Sequence, residues 1–205
     1  MLRLLVDTSV WLDLARRRDG QKWIVPLRGL VEEGDVELLV PEVLLDEYTR
    51  NRGRVEAAMS SGVAERFKLL RRDIVNYGGE DRDEALSFID GLAHQIPLIG
   101  AMTTLNFDLI LELLREGRRL EPGAAEHEAV VRRGLDKRAP LHRQRNSVAD
   151  ALLIELYASE VAAGDLTADR YAFATSNHED FSATGADRRR PHPDIEDLFA
   201  VDGSS

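Results

Sequence analysis

An α/β domain built on a parallel sheet is the fold class this sequence predicts, and three observations carry it. The chain opens on "LRLLV", apolar on both faces apart from Arg3, as a strand reads when helices cover both sides of its sheet. Strand-like runs alternate with helical ones, the order that gives parallel pairing. The first strand ends in a carboxylate, Asp7, at the end of the sheet where open α/β folds bind ligands.

The elements follow in order. Residues 2–7 form the first strand and 9–18 a helix; "WIVPLRGLVEEG" gives a second helix ending near Gly34. "VELLVP" (36–41) is a second strand, and Pro41 suits the first turn of the helix "PEVLLDEYTRN". The next hundred residues read as helical, with helices near 55–75, 83–95, 101–117 and 124–134. Breaks fall at Gly78–Gly79, Pro97–Gly100 and Glu121–Gly123. Residues 147–163 make another amphipathic helix, stopped by Gly164; "YAFAT" (171–175) is a third strand and "LFAV" (198–201) a candidate fourth. The whole reads as one domain, 1–205, with a helical elaboration at about 78–140.

Composition bounds the chemistry. The 205 residues are 43% hydrophobic and 31% charged, enough for a core and a solvated surface. No run approaches the ~18 apolar residues of a membrane helix, so no membrane partner is expected. Residues 1–14 do not read as a signal peptide, because Asp7 interrupts the apolar run. With no cysteine there is no disulfide, no zinc–thiolate site and no thiol nucleophile, and a cytoplasmic location is the expectation. The five histidines show no i,i+4 ligand pair. The net charge of -10 argues against non-specific coating of nucleic acid. Arginines nevertheless cluster, at 50–54, 71–72, 132–138, 143–145 and 188–190.

Four carboxylates stand apart, each with a plainer reading beside the functional one. Asp7 ends the first strand, where it could cap the next helix. Glu47 shares a helix face with Val43 and Leu44, so it lies on the apolar stripe and needs a partner; an arginine would serve. Asp150 heads the stripe of Leu153, Ile154 and Tyr157, and with Ser147 it resembles a capping box. Asp180 lies in "SNHEDF" just past the third strand, where a solvated turn is the plain reading and Asn177 or Glu179 could take its place. Together, two come from strand ends and two from inward helix faces beside those strands. Unit charges ~4 Å apart cost roughly 1 kcal/mol in water and about 4 at an effective dielectric of 20. A divalent cation relieves such repulsion, and oxygen-only ligands favour Mg2+ or Mn2+ over zinc. That set suits phosphodiester hydrolysis.

The segments "LLVDTSVWLDL", "VPEVLLDEYTRN", "NSVADALLIELYA" and "FATSNHEDFS", in this order, resemble the PIN-domain proteins, metal-dependent nucleases that include the toxin halves of many bacterial toxin–antitoxin pairs. The resemblance implies a three-layer α/β/α sandwich with a central parallel sheet, one or two Mg2+ or Mn2+ ions and cleavage of single-stranded RNA. Carried over, Asp7, Glu47 and Asp150 are the acidic core for metal and catalysis, and the fourth acid falls on Asn177 or Asp180. Thr8, Thr175 and Asn177 are supporting residues. The match covers roughly 1–52 and 145–185, so the middle helices lie outside the short toxin pattern.

The leading expectation is therefore a metal-dependent endoribonuclease, with a toxin role as its narrower form. Arg50 and Arg52, and Arg143 and Arg145, would hold substrate phosphates. Candidate partners are RNA, an antitoxin and a second copy of the chain. The alternative is a catalytically weak or inactive RNA-binding protein, suggested by Asn177 and the net charge. A phosphatase of the haloacid-dehalogenase type is disfavoured, because it wants an aspartate two residues after Asp7 and Ser9 stands there. Arg188–Arg190 with "PHPDIEDLF" read as a substrate arm, a docking surface or an ordinary loop.

Overall fold

The computed structural model describes residues 1–143, 147–183, 185 and 187–199. Its elements are β1 (Leu2–Val6), α1 (Thr8–Arg16), α2 (Gln21–Glu32), β2 (Val36–Pro41), α3 (Glu42–Tyr77) and α4 (Arg82–Ala93). They continue with α5 (Ile96–Glu116), β3 (Arg118–Leu120), α6 (Ala124–Leu135), α7 (Val148–Ala163), β4 (Arg170–Ala174) and α8 (His178–Phe181). Among the described residues the strands form one sheet in the order β3-β2-β1-β4, with every pair parallel.

Strand alternation divides the sheet's two faces. Leu5 aligns with Leu39 and Phe173, and this face is covered by α7, whose Tyr157 ring meets Phe173 edge-on at 5.7 Å. Arg3, Glu37 and Arg118 share that face, and Arg118 reaches Glu160 of α7 as well as Glu37. Helix α6 packs behind α7. On the other face α2 packs on β2, and α1 packs against α3 and α5. Trp11 is 1% exposed and donates its indole N–H to the Val6 carbonyl at 3.0 Å, fixing α1 to the end of β1. These are the three layers of an α/β/α sandwich. Tyr48, Phe107 and Tyr157 are also fully buried, each worth roughly 1.5–3 kcal/mol of transfer from water.

Two details hold the C-terminal end of α1. Asn106 of α5 is buried, and its amide donates to the carbonyls of Ala15 and Arg17 at 3.2 and 3.1 Å, tying down the end of α1. Gly20 permits this approach, since a Cβ there would lie 2.2 Å from the Leu14 carbonyl oxygen.

Three expectations about elements need correction. Leu198 lies in a 3-10 turn, Glu196–Leu198, so no strand begins there; residues 200–201 lie outside the described residues. The fourth strand is instead Arg118–Leu120, whose three residues are too few and too polar to show a periodicity. The helices expected near 42–51 and 55–75 are one, the 36-residue α3, because Gly53 sits in open space and does not break it. No break falls at Pro97–Gly100 either: Pro97 occupies the first turn of α5, where its missing N–H costs nothing. The break at Gly78–Gly79 is where α3 ends, with Gly79 at φ 60°.

At about 1.5 Å per residue α3 spans roughly 54 Å, well beyond the sheet. Helix α4 folds back along it, burying Ile89, and Tyr77 and Phe88 stay exposed. Among the described residues no helix is long and apolar enough to cross a membrane.

Candidate active site

Asp7 occupies the N-cap position of α1 but makes no side-chain cap bond. Its carboxylate, 3% exposed, instead accepts the Ser9 hydroxyl at 2.5 Å and the Thr175 hydroxyl at 2.8 Å. Thr175 follows β4, the neighbour of β1, so parallel pairing alone brings residues 168 positions apart into contact. Thr175 Oγ1 also accepts the Asn177 backbone N–H at 2.9 Å, which fixes the turn into α8. Thr8 is 2% exposed, and its hydroxyl is buried with no partner.

The capping reading fails for Asp150 as well. Ser147 makes no side-chain cap bond; its hydroxyl points at Asp180 Oδ2, at 3.5 Å. Asp150 therefore projects from the first turn of α7 toward the end of the sheet. The solvated-turn reading fails for Asp180, which is 3% exposed. The Asn177 amide donates to Asp180 Oδ2 at 2.9 Å and to Asp150 Oδ2 at 3.4 Å, so one side chain spans both acids. Glu179, by contrast, turns to Arg143 at 3.4 Å. Glu47 is half-buried on α3 and forms no ion pair with an arginine among the described residues. Asp13 is exposed and pairs with Arg16 at 2.7 Å.

The electrostatics gather these groups around Asp150. Burial, and then the charges of Asp7, Asp180 and Glu47, push its carboxyl up to about 7. The charges of carboxylates on α3, on α8 and at the end of β1 thus all act on Asp150 of α7.

A pH effect follows for the metal-free protein. Folded Asp150 keeps its proton to about pH 7, whereas an ordinary aspartate releases it near 3.8. Between those values the folded state binds the extra proton, so Asp150 makes stability fall as pH rises from about 4 to 7. Asp150→Asn is expected to gain stability over the wild type across that window. Urea unfolding at pH 4.5 and 7.5 measures it, and an identical pH slope in the two proteins would exclude the assignment.

The residues suit a divalent cation in their chemistry. The donors are oxygens, Asp180 Oδ1 is buried with no partner, and the repulsion on Asp150 calls for a positive charge. Among the described residues, however, no three His, Cys, Asp or Glu stand together as a metal-ligand cluster. The Asn177 amide, and the Ser9 and Thr175 hydroxyls, hold the carboxylates in the present arrangement.

The basic residues divide. Arg50 is exposed on α3, one turn from Glu47, with no ion pair among the described residues. Arg52 is engaged by Asp108 at 2.7 Å and Glu56 at 3.2 Å, which ties it to the body of the protein. Arg143 is paired with Glu179, and Arg145 lies outside the described residues. Ser9 and Ser147 are the contacts that sequence reasoning did not assign to the site; the hydroxyl run Thr8–Ser9 after Asp7 was the available signal.

A family model described as PIN domain matches residues 4–181. The matched span contains Asp7, Glu47, Asp150, Asn177 and Asp180, runs through the middle helices and ends with α8. No curated protein and no solved structure matches the chain. With most of its length matched, its parallel sheet between helical layers and its acids at the strands' carboxyl ends, the chain belongs to the PIN domain family, whose members are generally nucleases.

Proposed function

We propose that this chain is a Mg2+- or Mn2+-dependent endoribonuclease that hydrolyses single-stranded RNA. The observation that carries the reading is Asp150, whose carboxyl is raised by burial and by three other acids converging on it from separate elements. Asp7, Glu47, Asp150 and Asp180 would hold the cation. When bound, it would supply activation of a water and neutralise charge developing on the phosphate. The chain's own contribution is position. Ser9 and Thr175 orient Asp7, Asn177 spaces Asp150 from Asp180, and Arg50, one turn from Glu47, and Arg143, beside Glu179, would hold substrate phosphates. In its narrower form the chain is the toxin of a toxin–antitoxin pair, and an adjacent small open reading frame for a DNA-binding antitoxin is the sign to seek.

One observation favours a second reading, that of a catalytically weak or inactive RNA-binding protein. The Asn177 amide stands between two acids and donates to one oxygen of each without a cation. Titration calorimetry with Mn2+ separates the two. The enzyme binds Mn2+, loses that binding in Asp150→Ala, and stops cutting a fluorogenic single-stranded RNA when EDTA is added. Wild-type protein that takes up no Mn2+ yet binds RNA supports the second reading.

A further inference from the structure

We propose that a hollow beside the acidic site, walled by the segment after α8, is a nucleotide subsite. It takes one unstacked nucleotide of a single-stranded nucleic acid next to the scissile phosphate. The proposal rests on the nuclease reading above for the site it adjoins.

The hollow has a volume of about 620 Å3, within the roughly 300–1,000 Å3 of ligand pockets. Thr175, whose hydroxyl bonds Asp7, is in its lining, so it opens within one side chain of the acids. Its floor is apolar: Phe173 and Phe181 lie 5.2 Å apart between ring centroids, joined by Pro191, Ile195 and Phe199. Its rim is cationic, with Arg188, Arg189 and Arg190 alongside the exposed His178. Arg189 is neutralised by Asp187 at 2.8 Å. Arg188 and Arg190 are exposed and form no ion pair among the described residues. A second hollow, lined by Arg143, shares His178, Ser182 and Arg188 with the first, so the cationic rim runs on past α8.

The wall is fixed before any ligand arrives. The Ser182 hydroxyl donates to the Arg188 carbonyl at 2.6 Å, and Ser182 pairs antiparallel with Pro191. The His192 backbone N–H bonds the Phe181 carbonyl at 2.8 Å. Asp194 accepts the Ala139 N–H at 2.7 Å, and the Phe199 ring stacks on Tyr157 at 5.5 Å. This wall lies beyond residue 181, where the family match ends, while Phe173, Thr175, His178 and Phe181 of the same hollow lie inside the match.

An apolar, aromatic floor under unpaired arginines calls for a ligand that is flat and apolar on one side and anionic on the other. A nucleotide in a single strand is such a ligand: its base can stack and its phosphate meets the arginines.

The test is fluorescence anisotropy of a fluorescein-labelled single-stranded RNA 8-mer with EDTA-treated full-length protein, so that binding is read without cleavage. The doubly substituted Arg188→Ala/Arg190→Ala chain is expected to bind about tenfold more weakly, with a salt slope shallower by about 1.4. A series of 8-mers, each with one abasic position, is expected to show one position whose base is worth roughly tenfold in affinity. Unchanged affinity and slope in the arginine variant, or indifference to every abasic position, overturns the subsite. If the arginine and abasic effects appear but wild-type protein cuts no RNA with Mn2+, the nuclease reading falls and the subsite stands.

Discussion

On the proposed ribonuclease reading, Asp7→Asn is expected to lower metal-dependent RNA cleavage by at least about 10²- to 10³-fold, the scale of removing one charge-stabilising group from an active site, and to remain folded. The side chain is 3% exposed and its shape is kept, so packing around β1 and α1 is undisturbed. The Ser9 and Thr175 hydroxyls, which now donate to the carboxylate, can turn to accept from or donate to the amide. What is lost is a negative charge at the one point where β1, β4 and α7 converge. That charge also repels Asp150, so its removal lowers the Asp150 carboxyl from about 7 toward the ordinary range. The variant is therefore expected to melt no lower than the wild type without metal, while the rise in melting temperature on adding Mn2+ shrinks. Asp13→Ala is the matched control: that residue is exposed and paired with Arg16 in the same helix, so its rate should stay within a factor of two or so. Wild-type cleavage by Asp7→Asn would remove Asp7 from the mechanism.

Glu155→Ala destabilises the protein by about 3–5 kcal/mol, because it strands a buried guanidinium. Arg133 of α6 is 8% exposed and meets Glu155 of α7 at 2.6 Å, while its other nitrogen donates to the Ala139 carbonyl, also at 2.6 Å. The pair thus joins α6, α7 and the segment leading back toward Asp150. Truncating the arginine's partner leaves its charge largely buried, with the Ala139 carbonyl as its remaining partner among the described residues. For a chain of this length each kcal/mol moves the melting temperature by roughly 2–4 °C, so a fall of about 10 °C is expected by calorimetry. The pair need not be a net stabiliser over apolar groups. Arg133→Met with Glu155→Leu should recover most of the loss, and failure of the double substitution to do so would point to the Ala139 bond instead.

Much of this molecule is legible from local pattern. The strands 2–6, 36–41 and 170–174 lie within a residue or two of where apolar runs place them. Those runs are what a sheet covered on both faces requires. Helix α6 likewise follows from an apolar stripe with a proline beyond it; α7, expected to be amphipathic, is instead apolar round most of its circumference, because it is covered by the sheet on one side and by α6 on another. Strand β3 was hidden because Arg118–Leu120 becomes a strand only when β2 offers its edge. The continuity of α3 was hidden because a glycine breaks a helix only where the backbone is free to leave it, and α3 is held by α4 and α5.

The candidate site divides in the same way. The sequence by itself determined a parallel α/β frame, an Asp at the end of its first strand, and the order of four acidic segments belonging to the PIN family. It could not decide which competing use each acid has, since a cap, an ion pair and an inward carboxylate look alike over a few residues. The tertiary structure decided that. Asp7 bonds Thr175 rather than its own helix, Ser147 turns to Asp180, and Glu47 meets no arginine among the described residues. The first of these depends on a partner 168 residues away, brought close by parallel pairing of β1 with β4. The energy of a buried polar group is set by the partner it meets in space, not by the neighbour it has in sequence.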